Sequence, residues 1–260
     1  MKKIKTLFQS KKLYSIIIAL DIIALIIVFS LVLYKKTQNN QDEKKDNAVV
    51  ENNTTAKEVE FIDSELEKAI KKSLGKKKLY ENDLKNVRKI TIKNNKKIKD
   101  FSELVKFEKL KELTITNCNM TDISILEQIP NLQIVNLSGN KIVEISGKMN
   151  LKTVKELNIS NNKIKNLDFL TSFPNLTKLN ISTNNLSEVY GISVCENLQY
   201  VNFLNNSIKD GEELIKLKKL HTIYIDEEFD RTQLDFLEGN FRNADVQTKK
   251  YLLGKQYDLN

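Results

Sequence analysis

Catalysis needs convergent reactive groups, and this chain carries few. Its single histidine, His221, has no second imidazole with which to complete a relay or a metal set. Two cysteines, Cys118 and Cys195, stand far apart in sequence, and no histidine–cysteine cluster has zinc spacing. No glycine-rich loop is built to cradle a phosphate. The acidic run Asp226, Glu227, Glu228 and Asp230 offers the oxygens that calcium takes, but the solvated end of a domain is the preferred reading. Asn136, Asn158 and Asn180 each open an N-x-S triplet of glycosylation type. A strand with polar residues either side of one buried position produces the same triplets. These residues lead to binding: no catalytic residue, no cofactor and no metal site is predicted.

The elements that position these residues are repeats. Units begin at Val87, Leu110, Leu132, Val154, Leu176, Leu198 and Leu220, 23 residues apart once and then 22 apart five times. Each fits L-x-x-L-x-L-x-x-N/C-x-L, with further apolar residues at positions 14, 17 and 20 of the unit. In the five units from Leu110 to Lys219 these positions make 35 slots, and only Lys148 and Gly211 are not apolar. With 40% hydrophobic residues overall, chance does not produce that pattern. The L-x-L core has period two and predicts a short strand with one face inward. Position 9 holds Asn140, Asn162, Asn184 and Asn206, with Cys118 in the remaining unit. An inward asparagine there can satisfy backbone groups that the turn leaves unpaired, giving a structural asparagine ladder. No unit can bury its apolar set alone, so the units must stack into a solenoid. Cys118 and Cys195 then lie three units apart, roughly 14 Å, beyond disulfide reach. Two free, buried thiols are expected. Pro130 and Pro174, in "IPN" and "FPN", belong on the convex side, where no ladder N–H is needed.

These residues resemble the bacterial leucine-rich repeat family, in its internalin-like branch of 22-residue units. The segment before Val87 is similar to that family's helical N-terminal cap: Leu66, Ala69, Ile70 and Leu74 share one helical face, then Asp83-Leu84 steps into the first strand. The resemblance covers about residues 59–231. It implies an α/β leucine-rich repeat solenoid with short parallel strands on the concave face, an irregular or 3-10 convex side and an α-helical N-terminal cap. It also implies a non-catalytic binding role, with a host-directed adhesin among the possibilities. The ending departs from adhesin members: no immunoglobulin-like module or wall-sorting tail is read after the repeats, and residues 232–260 look like a C-terminal cap.

Residues 1–36 follow different rules. From Leu13 to Tyr34 runs an apolar stretch whose only charge is Asp21. About 22 residues at 1.5 Å each give roughly 33 Å of helix, enough for a bilayer core of about 30 Å. A transmembrane helix at 13–34 is expected, as an uncleaved anchor. Lys2, Lys3, Lys5, Lys11 and Lys12 precede it without an acid, which places residues 1–12 in the cytoplasm and the repeats outside. Seven lysines and one aspartate in 1–36 account for most of the formal net charge of +8. The basic balance is thus a topology signal, and nucleic acid is set aside. Asp21 costs roughly 2.5–3.5 kcal/mol near the bilayer centre and is a candidate for pairing with another membrane protein; drawing water inward is the other reading. Residues 35–58 are polar and read as a flexible linker. Its root-mean-square reach is roughly 27 Å and its limit about 80 Å. The domain reading is therefore 1–12 tail, 13–34 membrane helix, 35–58 linker, 59–86 N-terminal cap, 87–231 repeats and 232–260 C-terminal cap.

Positions 3, 5 and 7 of each unit face out of the sheet. Position 5 gives Asn136, Asn158, Asn180 and Asn202, a neutral polar strip, and Tyr224 follows. Tyr200 and Leu204 flank Tyr224 as candidate anchors for a protein partner. The reach of the linker favours a protein in the cell envelope as partner, with a wall glycan as the alternative for the amide and hydroxyl strip. The expected location is the cell membrane, single-pass, repeats extracytoplasmic.

Overall fold

The computed structural model describes residues 57–145 and 149–226, all within the larger of two compact units, Ala56–Asn260. The expected tail, membrane helix with Asp21, C-terminal cap and all but the last two residues of the linker lie outside the described residues. No helix among the described residues is long and apolar enough to cross a membrane.

Each repeat contributes one strand. They are β1 (Lys89–Lys93), β2 (Glu112–Thr116), β3 (Ile134–Asn136), β4 (Glu156–Asn158), β5 (Lys178–Asn180), β6 (Tyr200–Asn202) and β7 (Thr222–Tyr224). They form one seven-stranded sheet in chain order, every pair parallel and in register position for position, as in Val135 between Leu113 and Leu157. Period-two alternation sends positions 4 and 6 inward: Leu157 and Ile159 are buried while Glu156 and Asn158 are half-exposed. Of the described apolar pattern positions in the units from Leu110 to Lys219, only Ile145 is not fully buried. The chain returns through short 3-10 turns, such as Ser124–Gln128 and Asp168–Ser172. An acceptor at position 13 opens several of them: Asp122 takes the Ser124 N–H at 2.8 Å and Asp210 takes that of Glu212 at 2.8 Å.

Leaving the strand requires a left-handed residue. Position 8 has positive φ in all six units from Val87 to Lys219: Asn94, Asn117, Gly139, Asn161, Thr183 and Asn205. Asparagine and glycine tolerate this region; Thr183 at φ 55° is the strained member. Its N–H nonetheless bonds the Leu204 carbonyl at 2.7 Å, in line with the other units.

Helix α1 (Ser64–Leu74) precedes the sheet and packs on β1. Asp63 caps it, accepting from the Glu65 and Leu66 N–H groups, and Gly75 ends it at φ 66°. The other oxygen of Asp63 takes the Lys99 and Asp100 N–H groups at 2.8 and 3.1 Å, so one carboxylate ties helix to first repeat. Burial pushes its pKa up, but the four backbone donors outweigh that and hold it below the ordinary value. A short helix, α2 (Glu81–Leu84), leads into β1.

Candidate functional site

The interior face of the repeats explains the exterior one. At position 9 each asparagine amide spans two units. Asn162 accepts from the Ile142 N–H at 3.0 Å and donates to the carbonyls of Leu137 (3.1 Å), Ile159 (3.0 Å) and Ser160 (3.1 Å). Asn184 does the same with Ile164, Ile159, Ile181 and Ser182. Asn206 continues the series through Leu186, Ile181 and Phe203. Asn140 begins it, accepting from Cys118 and Met120 and donating to Ile115 and Leu137. The four are the ladder expected from their spacing. At the far end Asp226 takes over, its two oxygens accepting from the Asn205 and Asn206 N–H groups at 2.8 and 3.1 Å. That carboxylate is a backbone cap, which neither a calcium site nor a merely solvated domain end anticipates.

A second set of asparagines lies outside. Asn136, Asn158, Asn180 and Asn202 at position 5 each accept the position-7 N–H, from Ser138, Ser160, Ser182 and Leu204, at 3.0–3.1 Å. Ser160 and Ser182 add hydroxyl bonds to the same oxygens at 2.8 Å. This is the origin of the N-x-S triplets. The two sets work together. In a regular parallel ladder the position-7 N–H would serve the preceding unit's position-6 carbonyl; here position 5 captures it, and the position-9 amide fills that carbonyl instead. Where position 5 is threonine the ladder runs on: β1 and β2 stay paired through Lys93 and Thr116. That is also where position 9 is Cys118, whose Sγ lies 3.9 Å from the Ile92 carbonyl. Threonine with cysteine, and asparagine with asparagine, are two closed hydrogen-bond solutions.

Capture of Oδ1 fixes how the outer asparagines can act. Their Nδ2 groups make no hydrogen bond among the described residues. Asn136, Asn158 and Asn180 are half-exposed and stand on adjacent strands, about 4.8 Å apart. They form a row of oriented donors. Asn202 is buried.

The predicted anchors come together in part. The Tyr200 and Tyr224 rings have centroids 5.4 Å apart, tilted at 52°. Tyr200 and Leu204 are half-exposed, whereas Tyr224 is only 5% exposed, so it backs Tyr200 and presents little surface of its own. Position 3 supplies residues that the sequence reading passed over. Lys89 pairs with Glu112 at 2.7 Å and Lys178 with Glu156 at 2.9 Å. Ile134 lies between those pairs, 38% exposed. Charge is cancelled along this row, and an apolar side chain is left at its middle. The signal was available, since an isoleucine at an outward strand position breaks the polar pattern of its neighbours.

Chemistry on the described residues is limited. Cys195 is a buried free thiol, its Sγ 3.6 Å from the Phe173 carbonyl, with its pKa pushed up to about 12 by burial, and burial raises that of Cys118 too. No group of three His, Cys, Asp or Glu among the described residues could hold a metal ion. His221 is exposed, its Nδ1 3.0 Å from the Thr222 hydroxyl.

Comparison with known proteins agrees with this geometry. A family model described as leucine-rich repeats (two copies) matches residues 108–148 and 152–192. The chain carries leucine-rich repeats. Among solved structures, internalin C2 from Listeria monocytogenes aligns at 23% identity with a TM-score of 0.47, covering 63% of this chain and 93% of that protein. The internalin inlF of the same organism aligns at 22% identity with a TM-score of 0.53. That alignment covers 68% of this chain and 60% of inlF, so the chain spans less than two thirds of that relative. The likeness to inlF is one of fold, an internalin-like repeat solenoid. No protein of curated function matches the chain in sequence.

Proposed function

We propose that the chain is a non-catalytic protein-binding module, displayed on the outer side of a bacterial cell membrane, that takes its ligand on the concave face of the sheet. The observation that carries this reading is the Nδ2 row of Asn136, Asn158 and Asn180, unpaired among the described residues, beside the charge-cancelled row centred on Ile134. Fixed donors with an apolar contact and an aromatic flank at Tyr200 suit the edge of an extended peptide: its carbonyls accept and its side chains cover Ile134. The apolar span 13–34 supports membrane anchoring, and the linker tethers the repeats by at most about 80 Å, to which the stack of seven strands adds roughly 34 Å. That reach favours a partner inside the envelope over a host surface. Within this proposal Asp21 is the contact to a second membrane protein.

The test is photocrosslinking from the full chain in its native membrane. A benzophenone amino acid replaces Ile134, and in a matched strain it replaces exposed Lys165 outside the sheet. A discrete protein adduct from position 134 and none from 165 supports the proposal. Equal adducts from both positions overturn it, and an adduct that glycosidases dissolve selects the wall-glycan alternative. Protease added to intact and then wall-stripped cells reads the topology; repeats that stay protected in both refute outward display.

A further inference from the structure

A separate groove of about 960 Å³ runs between α1 and the turn that follows β1. Its rim carries Lys68 and Lys72 from the helix and Lys93, Lys96 and Lys97 from the strand end and turn, against one carboxylate, Glu65. Glu65 is already engaged: it pairs with Lys68 at 2.9 Å and accepts from Asn95 at 3.3 Å. Those hydrogen bonds, the one from Lys68 foremost, hold its carboxyl below the ordinary range. Lys72, Lys93, Lys96 and Lys97 are exposed and make no ion pair among the described residues. The two walls are tied together. The Thr91 N–H bonds the Ser73 hydroxyl at 2.8 Å, the Asn95 amide bonds the Glu65 carbonyl at 3.4 Å, and Asp63 holds the backbone at Lys99 and Asp100. Four unneutralised ammonium groups are thus held around one rigid concavity, in a chain whose remaining residues beyond 36 are close to neutral.

We infer that this groove binds a linear, base-free phosphate chain. Lysine ammoniums are compact point charges without the planar fork by which arginine reads carboxylates, and the groove holds no arginine. They favour a ligand of dense, repeated charge over a single carboxylate. No aromatic residue lines the groove, which leaves bases nothing to stack on and disfavours single-stranded nucleic acid. A groove admits a strand, whereas a flat bilayer surface meets only its rim.

The experiment is fluorescence anisotropy on the full chain in neutral detergent, with labelled inorganic polyphosphate as probe. Every protein carries Lys2→Gln, Lys3→Gln, Lys5→Gln, Lys11→Gln and Lys12→Gln, so that the N-terminal lysines do not compete. With four ammoniums engaged, affinity falls roughly fifty-fold between 50 and 200 mM salt. The variant Lys72→Gln/Lys93→Gln/Lys96→Gln/Lys97→Gln loses about thirty-fold at the lower salt, and Lys96→Gln/Lys97→Gln alone about five-fold. A control of equal charge loss, Lys109→Gln/Lys152→Gln/Lys155→Gln/Lys218→Gln, loses less than about three-fold. Far-UV circular dichroism identifies any misfolded variant, in which case the double variant decides. Equal losses in groove and control variants, or no binding by the parent, overturn the inference. So does tighter groove-dependent binding of an oligothymidylate, or of phosphatidylglycerol vesicles. A poly(glycerol phosphate) competitor that displaces polyphosphate supports the phosphodiester source, and failure to compete supports polyphosphate itself.

Discussion

The pairing of position 5 with position 9 yields a double-mutant cycle. Asn162→Cys removes the only acceptor found among the described residues for the buried Ile142 N–H and one of two donors to the Leu137 carbonyl, which keeps Asn140; Ile159 likewise keeps a second donor in Asn184. One orphaned buried backbone N–H gives a loss of about 1–3 kcal/mol. Asn158→Thr releases the Ser160 N–H, bonded to Oδ1 at 3.1 Å, while the Leu137 carbonyl is still occupied. That change alone costs about 1 kcal/mol. The double variant copies Thr114 and Cys118: the freed Ser160 N–H takes the place that Asn162 vacated on the Leu137 carbonyl, beside Asn140, as the Lys93 to Thr116 ladder does in β1 and β2. The two changes together should therefore cost about 1 kcal/mol less than their sum, the worth of the Ser160 N–H bond regained, with Ile142 the residual penalty. Urea unfolding of the full chain followed by far-UV circular dichroism reads this as a recovery of about 0.5 M in midpoint. Additivity within about 0.5 kcal/mol would refute the coupled hydrogen-bond scheme.

Other outcomes follow from single sites. Gly139→Ala forces an alanine to φ 72° and places its Cβ 1.9 Å from the Asn117 Oδ1. It should lose about 1–2 kcal/mol from the backbone alone, with further loss as the Asn117 bond to Asn94 at 3.0 Å breaks, measured by the same urea titration. Cys195 stays neutral in the fold to about pH 12 but ionises near pH 9.0 when unfolded. Stability should decline as pH rises from about 9 towards 12, and a thiol reagent at pH 8 should label Cys195 only in denaturant. Asp63→Ala frees four backbone donors and should raise hydrogen exchange in α1 and around Lys99. The native carboxylate, depressed below 3.8, stabilises the fold at neutral pH and should lose that effect as pH falls through its folded value.

The spine of the fold was legible because each buried position recurs in every unit. One inward slot can be ambiguous, but five registers of the same slot cannot, and Leu157 and Ile159 lie where their spacing put them. The inner asparagines were legible for the same reason, since a polar residue recurring in an apolar register must be hydrogen-bonded. The outer asparagines were harder. Recurrence at an exposed position is compatible with binding, glycosylation or structure, and only the 3.0–3.1 Å contacts to position 7 choose among them. Position 8 held an overlooked signal: asparagine or glycine in all but one of six units is the composition of a left-handed turn. The groove beside α1 was invisible for a different reason. Lys68 and Lys72 sit more than twenty residues before Lys93, and only the packing of α1 on β1 joins the two lysine groups.

The double use of asparagine also constrains how a partner is recognised. An unrestrained surface amide offers donor and acceptor in either orientation and discriminates poorly. At position 5 the backbone consumes the acceptor, so every Nδ2 in the row is held in one orientation as a donor, and the row matches only a ligand that presents acceptors at the strand spacing. Substituting Asn158 by aspartate keeps the bond to Ser160 while replacing the outward donor with an acceptor. Stability should change by less than about 1 kcal/mol, while crosslinking from position 134 falls about tenfold or more, as expected when a hydrogen bond is replaced by acceptor facing acceptor. A stable Asn158→Asp chain that still crosslinks at the parental level would show that the donor row is scaffold alone and would move the binding surface to Ile134 and Tyr200.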